Sequence, residues 1–302
     1  MAGLVQYPAR LKVVNRMRVF DFLRQRKHRL FLLRLSLTVK ARAVRDEFLR
    51  SVGAYRSLNF RPDSYPESFV SKVPIRSSAS SKDVPRILWC CWTGLEEMSD
   101  TRRASLDAIR GLSRSLEVRL VTPENLEKVL IPGSPLPVAY KNLSANHKSD
   151  VLRAYLMHHH GGGYIDIKRP LHEWAPVYEL LDASANGWVA GYPLQSLKEA
   201  TYIKGRLGRK IRRNFFRLPG FAAMICRPGT PLTEEWINEV NRRVDALSEE
   251  LRITGGNTYG DNLGYPVPWT HLGSQVFEPL CMKYLEHVLL DRRLMPQLHS
   301  HR

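Results

Sequence analysis

The chain has 302 residues, of which 43% are hydrophobic and 25% charged, and this balance is typical of a globular protein with a substantial core. It excludes a wholly disordered, collagen-like or coiled-coil chain. The formal net charge of +17 is unusual and predicts an anionic partner, such as anionic lipid, nucleic acid or a phosphorylated substrate. The four cysteines include no C-x-x-C pair, so neither a disulfide scaffold nor a structural zinc site is expected, and a reducing compartment fits.

The positive charge is concentrated near the amino terminus. Residues 8–50 hold 13 Lys or Arg against 3 Asp or Glu, and Leu23, Leu30 and Leu37 recur between them at roughly helical spacing. This pattern predicts a basic amphipathic helical extension over residues 1–70. Two interpretations stand: the extension lies on an anionic membrane surface, or it packs on the main domain with solvated arginines. Nucleic acid is not an expected partner, because no recognised binding module follows.

The location follows from two further observations on the sequence. The opening segment MAGLVQYPARLK lacks the apolar core of a signal peptide. No uncharged apolar run approaches the ~18–20 residues that a spanning helix needs. We therefore expect a cytoplasmic protein, held at the inner face of the cytoplasmic membrane if residues 8–50 bind lipid.

The Ser-rich residues 71–83 predict a linker, and the main domain is expected over 84–302. In that domain, apolar runs and helical periodicity alternate along the chain. Strands are predicted over 86–92, 116–122, 164–167 and 188–192, and helices over 97–116, 123–130 and 146–160. This alternation predicts an α/β domain with a largely parallel sheet.

The stretch from Lys148 to Lys168 concentrates polar groups suited to ligand binding. Asp150 and Arg153 are three residues apart and share one helix face, and Ser149 or Asp150 is expected to cap the helix. Three glycines then end the helix and lead into a strand. Asp166 follows at the carboxyl end of that strand, where ligands bind in open α/β sheets. A carboxylate there suits a ribose hydroxyl or a metal ion, and Lys168 suits a diphosphate.

This stretch, S-D-x-L-R followed by G-G-x-Y-x-D, resembles the central motif of glycosyltransferases with a DXD sugar-binding region. That group includes capsular polysaccharide synthesis proteins, yeast-type initiating mannosyltransferases and, distantly, the clostridial glucosylating toxins. The segment VPRILWCCWTG at 84–94 resembles their opening strand. Residues 161–168, 225–236 and 264–269 resemble a bacterial subgroup for capsule or surface-polysaccharide synthesis. The resemblance covers roughly residues 84–285, and its pieces occur in the right order.

The resemblance implies a GT-A-type, Rossmann-like mixed sheet flanked by helices. It also implies a nucleotide-sugar donor and transfer of a hexose, with retention, to a saccharide or lipid-linked acceptor. By matching position, Trp92 would stack on the nucleotide base, and Asp150 and Arg153 would hold the donor sugar's hydroxyls. Tyr164 would contribute to substrate binding within the motif. Asp166 matches the first Asp of DXD, which contacts the ribose and usually a divalent metal.

Lys168 stands where the motif's second Asp, the usual metal ligand, is expected. A lysine cannot coordinate Mg²⁺ or Mn²⁺ but places positive charge beside the leaving diphosphate. We therefore expect weakened metal dependence, with Asp166 and Lys168 as the catalytic pair. A competing hypothesis is a metal ion held by Asp166 and a downstream carboxylate such as Asp261.

Each candidate residue also has a purely structural interpretation. Asp150 would be only a helix cap paired with Arg153, and Trp92 only a core aromatic residue. Trp269 and His271 line the acceptor side or pack in the core. Residues 204–217 form a mobile active-site flap or a solvated loop, and two glycines favour the flap. At the level of the whole chain, the alternative is a degenerate, non-catalytic transferase that binds anionic polymer or lipid.

Overall fold

The computed structural model describes residues 27, 38, 40–53, 58–72 and 83–298, and its contacts divide the chain into two compact units, Met1–Arg56 and Ser57–Arg302. In the first unit the described residues are helical, and Arg45 pairs with Asp46 at 2.9 Å. Most of the basic segment 8–50 lies outside the described residues, so its proposed membrane-binding face stays a prediction. Across the described ranges, no helix combines the length and apolar character needed to cross a bilayer.

A six-stranded sheet forms the centre of the second unit, with strand order β2-β1-β3-β5-β4-β6. β5 runs antiparallel to both of its neighbours, and the other neighbouring pairs are parallel. The strands are β1 Ile87–Cys91, β2 Glu117–Val121, β3 Gly162–Ile165, β4 Val189–Pro193, β5 Pro219–Cys226 and β6 Val288–Leu290. The predicted α/β class and largely parallel sheet are therefore confirmed, and the GT-A assignment remains a proposal.

Helices cover both faces of this sheet. Side chains alternate along β1, so Leu88 and Cys90 share one face and Trp89 lies on the other. The α-helices of this unit are α1 Asp100–Leu112, α2 Ala145–His159, α3 Ala175–Ala183, α4 Gly205–Arg213, α5 Pro231–Ala246, α6 Ser248–Ile253 and α7 Ser274–Lys283. Leu88 and Cys90 belong to a buried cluster with residues of α1 and α3. On the other face, α2 packs against β1 and β3 and is itself covered by α5. The result is a three-layer arrangement with the core on both sides of the sheet.

Residues 58–72, at the end of the predicted extension and the start of the predicted linker, pack on this unit. They form two short 3-10 turns, and Val70 is fully buried. The Lys283 ammonium donates to the Lys72 carbonyl at 2.8 Å, and the Arg243 guanidinium lies 5.3 Å from the Phe69 ring centre. Aromatic and branched side chains in this segment thus favour burial over a free extension. Residues 73–82 of the predicted linker lie outside the described residues.

Candidate functional site

Helix α2 carries two of the candidate residues and begins earlier than the sequence suggested. Its N-cap is Ser144, whose hydroxyl accepts from the His147 amide. The cap expected at Ser149 or Asp150 is therefore wrong, since both residues lie beyond the first turn. Ser149 instead donates to the Ala145 carbonyl and lies 3.1 Å from the Thr93 hydroxyl, just after β1. Asp150 is consequently available for a role other than capping.

Glycines at the end of α2 bring the next strand close to β1. Gly161 and Gly162 have positive φ values of +66° and +85°, which favour glycine. A Cβ atom on Gly162 would lie 2.6 Å from the Ile87 carbonyl oxygen, so a larger residue would push β3 away from β1. β3 is buried along its whole length and ends one residue before Asp166. Asp166 thus lies at the carboxyl end of the strand, as predicted.

Arg153 is the centre of the charged cluster at this edge of the sheet. Its Nη2 donates to Asp166 Oδ1 at 2.8 Å and lies 3.6 Å from Asp150 Oδ1. Its Nη1 donates to the Phe221 carbonyl at 2.8 Å. The guanidinium also lies over two rings, 3.9 Å from the centre of Phe221 and 4.4 Å from that of Tyr164. With its side chain only 5% exposed, Arg153 is held in one position by partners on three sides.

Lys168 completes the cluster from the other side of Asp166. Its ammonium donates to Asp166 Oδ2 at 2.8 Å, so both carboxylate oxygens accept from cations. Arg102 of α1 donates to the Ile167 carbonyl at 2.6 Å and brings a further positive charge near the carboxylate. Asp166 remains 27% exposed, so a ligand can still reach it.

The two carboxylates of the cluster differ in protonation. Burial raises the pKa of Asp150 to about 7, with Arg153 opposing the rise and Asp166 adding to it. Burial acts in the same direction on Asp166, but Lys168 and Arg153 outweigh it and hold its pKa below the ordinary value. Near neutral pH the cluster therefore carries two cations, one full anion and one partly protonated carboxyl group. This balance favours an anionic ligand.

The residues at this edge do not fit a divalent metal site of the two-aspartate kind. Lys168 takes the place of the second carboxylate, and both oxygens of Asp166 are engaged by cations. Asp261 lies in an exposed loop, where its carboxylate accepts from the Asn257 side-chain amide at 2.7 Å. In the part of the chain that the structure describes, no group of three or more His, Cys, Asp or Glu side chains is placed to hold a metal ion. Hard divalent cations prefer several oxygen ligands, which this set does not supply.

Trp92 follows β1 at the same edge of the sheet. Its indole N–H donates to the Glu96 carbonyl at 2.8 Å, and its ring packs partly against the buried core cluster. One part of the ring is thus anchored, and the remainder is accessible. Both interpretations of Trp92, base stacking and core packing, retain structural support.

Trp269 and His271 lie in the loop that precedes α7. Trp269 is 61% exposed, which disfavours the core-packing interpretation for this residue. His271 is half-buried, and burial together with Arg243 lowers its pKa to about 4, so it is neutral at pH 7. The loop contacts α2 through Tyr265, whose hydroxyl lies 2.9 Å from His147 Nδ1. The loop therefore packs on the first turn of the helix that carries Asp150 and Arg153.

Two contacts of the cluster were missed by sequence reasoning. Phe221, in β5, supplies both a carbonyl and a ring to Arg153, and β5 was not predicted as a strand. Gly273 lies so close to Asp150 that a Cβ atom there would be 3.1 Å from Oδ2. The apolar run PGFAAMIC, bounded by Pro219 and Pro228, is a signal that could have identified β5.

The loop expected over residues 204–217 is instead mostly helical. Helix α4 buries Leu207, Gly208 and Ile211, and its basic residues lie between these positions. A single buried stripe with cations around it is typical of a helix packed on one side. Most of the basic residues of this segment thus lie on a helix and not in a loop.

The model of the capsular polysaccharide synthesis protein family matches the chain over residues 55–167. The match is shorter than half the chain but contains Asp150, Arg153, Tyr164 and Asp166, and it supports the capsule-synthesis family. The match begins at residue 55, which agrees with the packing of residues 58–72 on the second unit. No curated protein and no solved structure matches.

Proposed function

We propose that this protein is a nucleotide-sugar-dependent hexosyltransferase of capsule or surface-polysaccharide synthesis. The observation that carries the proposal is the network of Asp150, Arg153, Asp166 and Lys168 at the carboxyl ends of β1 and β3. That edge of an α/β sheet is where ligands bind, and the network offers fixed groups of both charges. The family match over residues 55–167, which include Asp150, Arg153 and Asp166, supports a role in capsule biosynthesis.

The donor sugar's hydroxyls would bind Asp150 and Arg153. Guanidinium and carboxylate groups form short, directional hydrogen bonds to hydroxyls and so fix the ring's orientation. A carboxyl group with a pKa of about 7 both donates and accepts hydrogen bonds near neutral pH. Asp166 would bind the ribose, and the exposed part of Trp92 the base.

Transfer breaks the bond between the anomeric carbon and a phosphate oxygen, and negative charge then develops on the departing nucleoside diphosphate. A cation already placed beside that oxygen stabilises the transition state more than the ground state. Lys168 would supply this charge, with Arg153 behind it. Retention at the anomeric carbon is part of the proposal, and no residue is assigned as a nucleophile.

The acceptor would be a saccharide or a lipid-linked saccharide, approaching past Trp269 and His271. The exposed indole suits stacking on a sugar ring. Action at the cytoplasmic face of the membrane, with residues 8–50 on anionic lipid, completes the proposal.

One observation favours a second function. Asp166 already has a cationic partner on each oxygen, and the second acidic residue of DXD is absent. A degenerate transferase that binds anionic polymer or lipid without turnover would have these features.

A thermal-shift screen distinguishes the two functions. Nucleoside diphosphates and nucleotide sugars are added to the full chain, each with Mn²⁺ and with EDTA. A ligand that binds only the folded state raises the melting temperature, so we expect a shift with one nucleotide sugar. Lys168→Ala should reduce that shift, and Lys128→Ala, an exposed lysine outside the cluster, should not. If no donor stabilises well-folded protein, the transferase proposal fails and the binding function is favoured.

A further inference from the structure

A cleft of about 620 Å³ lies between residues 64–69, the start of α4, and side chains of α5 and α7. Its volume is within the range of small-molecule sites, about 300–1,000 Å³. Two aromatic residues, Tyr65 and Phe69, contribute to one wall, with Ser64 and Ser68 beside them. Aromatic faces interspersed with hydroxyl groups suit a saccharide better than a purely apolar ligand.

The cleft adjoins the charged cluster. Gln275, at the start of α7, lines the cleft, and two residues earlier Gly273 approaches Asp150 Oδ2. Two residues of chain span at most about 7 Å. Arg243, another lining residue, donates to the His271 carbonyl at 2.6 Å. The lining of the cleft is therefore linked, through Gln275 and Gly273, to the proposed donor-sugar site.

The basic residues on the α5 side and on the α4 side of the cleft differ in whether they already form ion pairs. On α5, Glu239 pairs with both Arg242 and Arg243, at 2.7 Å and 2.9 Å, so these two cations are already partnered. On the α4 side, Lys204 and Arg206 are exposed and form no ion pair with any residue that the structure describes. The other acidic lining residue, Glu67, is exposed. Lys204 and Arg206 are thus the cations left to bind a ligand.

Helix α4 supplies further positive potential. Within the described residues, none of its basic side chains has an acidic partner, and no side chain caps its amino terminus. The buried side chains of Leu207 and Ile211 anchor the helix to the rest of the domain. Charged side chains that form no ion pair do little for the fold, and they raise the potential for an anion at the end of the helix that borders the cleft.

We propose that this cleft is the acceptor subsite and that it takes a saccharide bearing a phosphate or diphosphate, whose anionic oxygens bind Lys204 and Arg206. The acceptor role of the cleft rests on the proposed transferase function, whereas its binding of a phosphorylated ligand does not. A lipid-linked sugar diphosphate and a soluble sugar phosphate share this chemistry.

The test compares two double variants of α4 that lose the same charge. Lys204→Gln with Arg206→Gln alters the cleft, and Arg209→Gln with Arg213→Gln alters exposed positions outside it. Binding of inorganic diphosphate to the full chain is measured by calorimetry, and Lys168→Gln reports separately on the donor site. We expect the cleft variant to bind diphosphate about tenfold more weakly or worse at one site, because charge-assisted hydrogen bonds are lost. The control variant should keep that site.

The variants also separate the failure of this inference from that of the proposed function. If Lys168→Gln alone abolishes all diphosphate binding, the cleft is not a phosphate site and the inference is overturned. If the cleft variant weakens binding but no nucleotide sugar is ever bound, the phosphate site stands and the transferase function fails.

Two further probes identify the source of the phosphate. They are a sugar 1-phosphate in solution and a polyprenyl diphosphate sugar in phosphatidylcholine vesicles. If the wild type binds one of these probes more tightly than the other and the cleft variant loses that difference, the result supports the subsite. The preferred probe then identifies the source of the phosphate. Equal loss of binding to phosphatidylglycerol vesicles in both double variants would assign α4 to a membrane surface and overturn the proposal.

Discussion

The cluster around Arg153 and the helix α4 are both rich in positive charge, but the cations of the cluster are buried in ion pairs and those of α4 are not. In the cluster, Arg153 and Lys168 are 5% and 15% exposed, and each bonds directly to Asp166. On α4 the cations are largely exposed and lack acidic partners among the described residues. Charges removed from water require partners, whereas solvated charges do not. The first set is therefore part of the fold as well as of the site, and the second is available to a ligand at little structural cost.

Removing the central guanidinium should have the largest effect on stability. Arg153→Met removes one of the two cations that bond to Asp166, and it leaves the Phe221 carbonyl without the hydrogen bond from Arg153. Breaking a buried pair from one side destabilises by about 3–5 kcal/mol, so we expect a loss of that size in urea denaturation. The matched change on α4, Arg209→Met, should stay within about 0.5 kcal/mol. Similar losses in both variants would contradict the contrast between the two regions.

Lys168→Ala should mainly affect turnover. Loss of a cation aimed at the departing diphosphate costs about 10²–10³ in kcat, as for other fixed groups that stabilise developing charge. Lys168→Arg keeps the charge and should retain a larger share of the activity. The measurement is the initial rate with the nucleotide sugar found in the thermal-shift screen, with Lys128→Ala as the control. Unchanged kinetics in Lys168→Ala would remove the lysine from the mechanism.

The raised pKa of Asp150 makes the stability of the cluster depend on pH. Because burial raises this pKa from 3.8 to about 7, the folded state binds a proton that the unfolded state releases between these values. Stability from this group is thus complete below about pH 4 and is lost as pH rises toward 7, by up to about 1.4 kcal/mol per pH unit. The lowered pKa of Asp166 acts in the opposite direction and only at more acidic pH.

Asp150→Asn isolates this effect, because the amide does not titrate. The free energy of unfolding of the wild type should fall relative to that of the variant between about pH 4 and pH 7, as measured by urea denaturation at several pH values. Parallel pH profiles would show that Asp150 is ionised in the folded protein. Other buried acids, such as Glu278, contribute equally to the free energy of unfolding of both proteins, so their effects cancel when the two values are subtracted.

Local sequence signals predicted much of this fold. The strands β1 to β4 lie within two residues of their predicted positions, because their apolar residues either follow one another or, in β2, alternate with charged residues. β5 begins with Pro-Gly, which obscured the strand, and β6 has only three residues. The start of α2 was predicted within one residue, but its cap was misassigned because Ser144 and Ser149 are both good capping residues.

The candidate site likewise has features that local sequence signals predicted and features that they did not. The i, i+3 spacing of Asp150 and Arg153 and the position of Asp166 after its strand are local features, and the sequence predicted both. That Arg153 bonds more closely to Asp166 than to Asp150 depends on how α2 packs on β3. The carbonyl and ring of Phe221 come from an antiparallel strand far along the chain. Such long-range contacts leave no periodic pattern in the sequence.

The smallest effect is expected from metal removal. Since residue 168 is a lysine and not a carboxylate, and cations hold both oxygens of Asp166, EDTA should change the donor affinity of the proposed transferase by less than about twofold. Lys168→Asp restores a D-x-D sequence and removes the cation from Asp166 Oδ2. Donor binding by that variant should then require Mn²⁺, as measured by thermal shift with and without EDTA. If EDTA abolishes donor binding by the wild type, a metal ion performs the role assigned to Lys168, and the charge balance of the cluster has been misjudged.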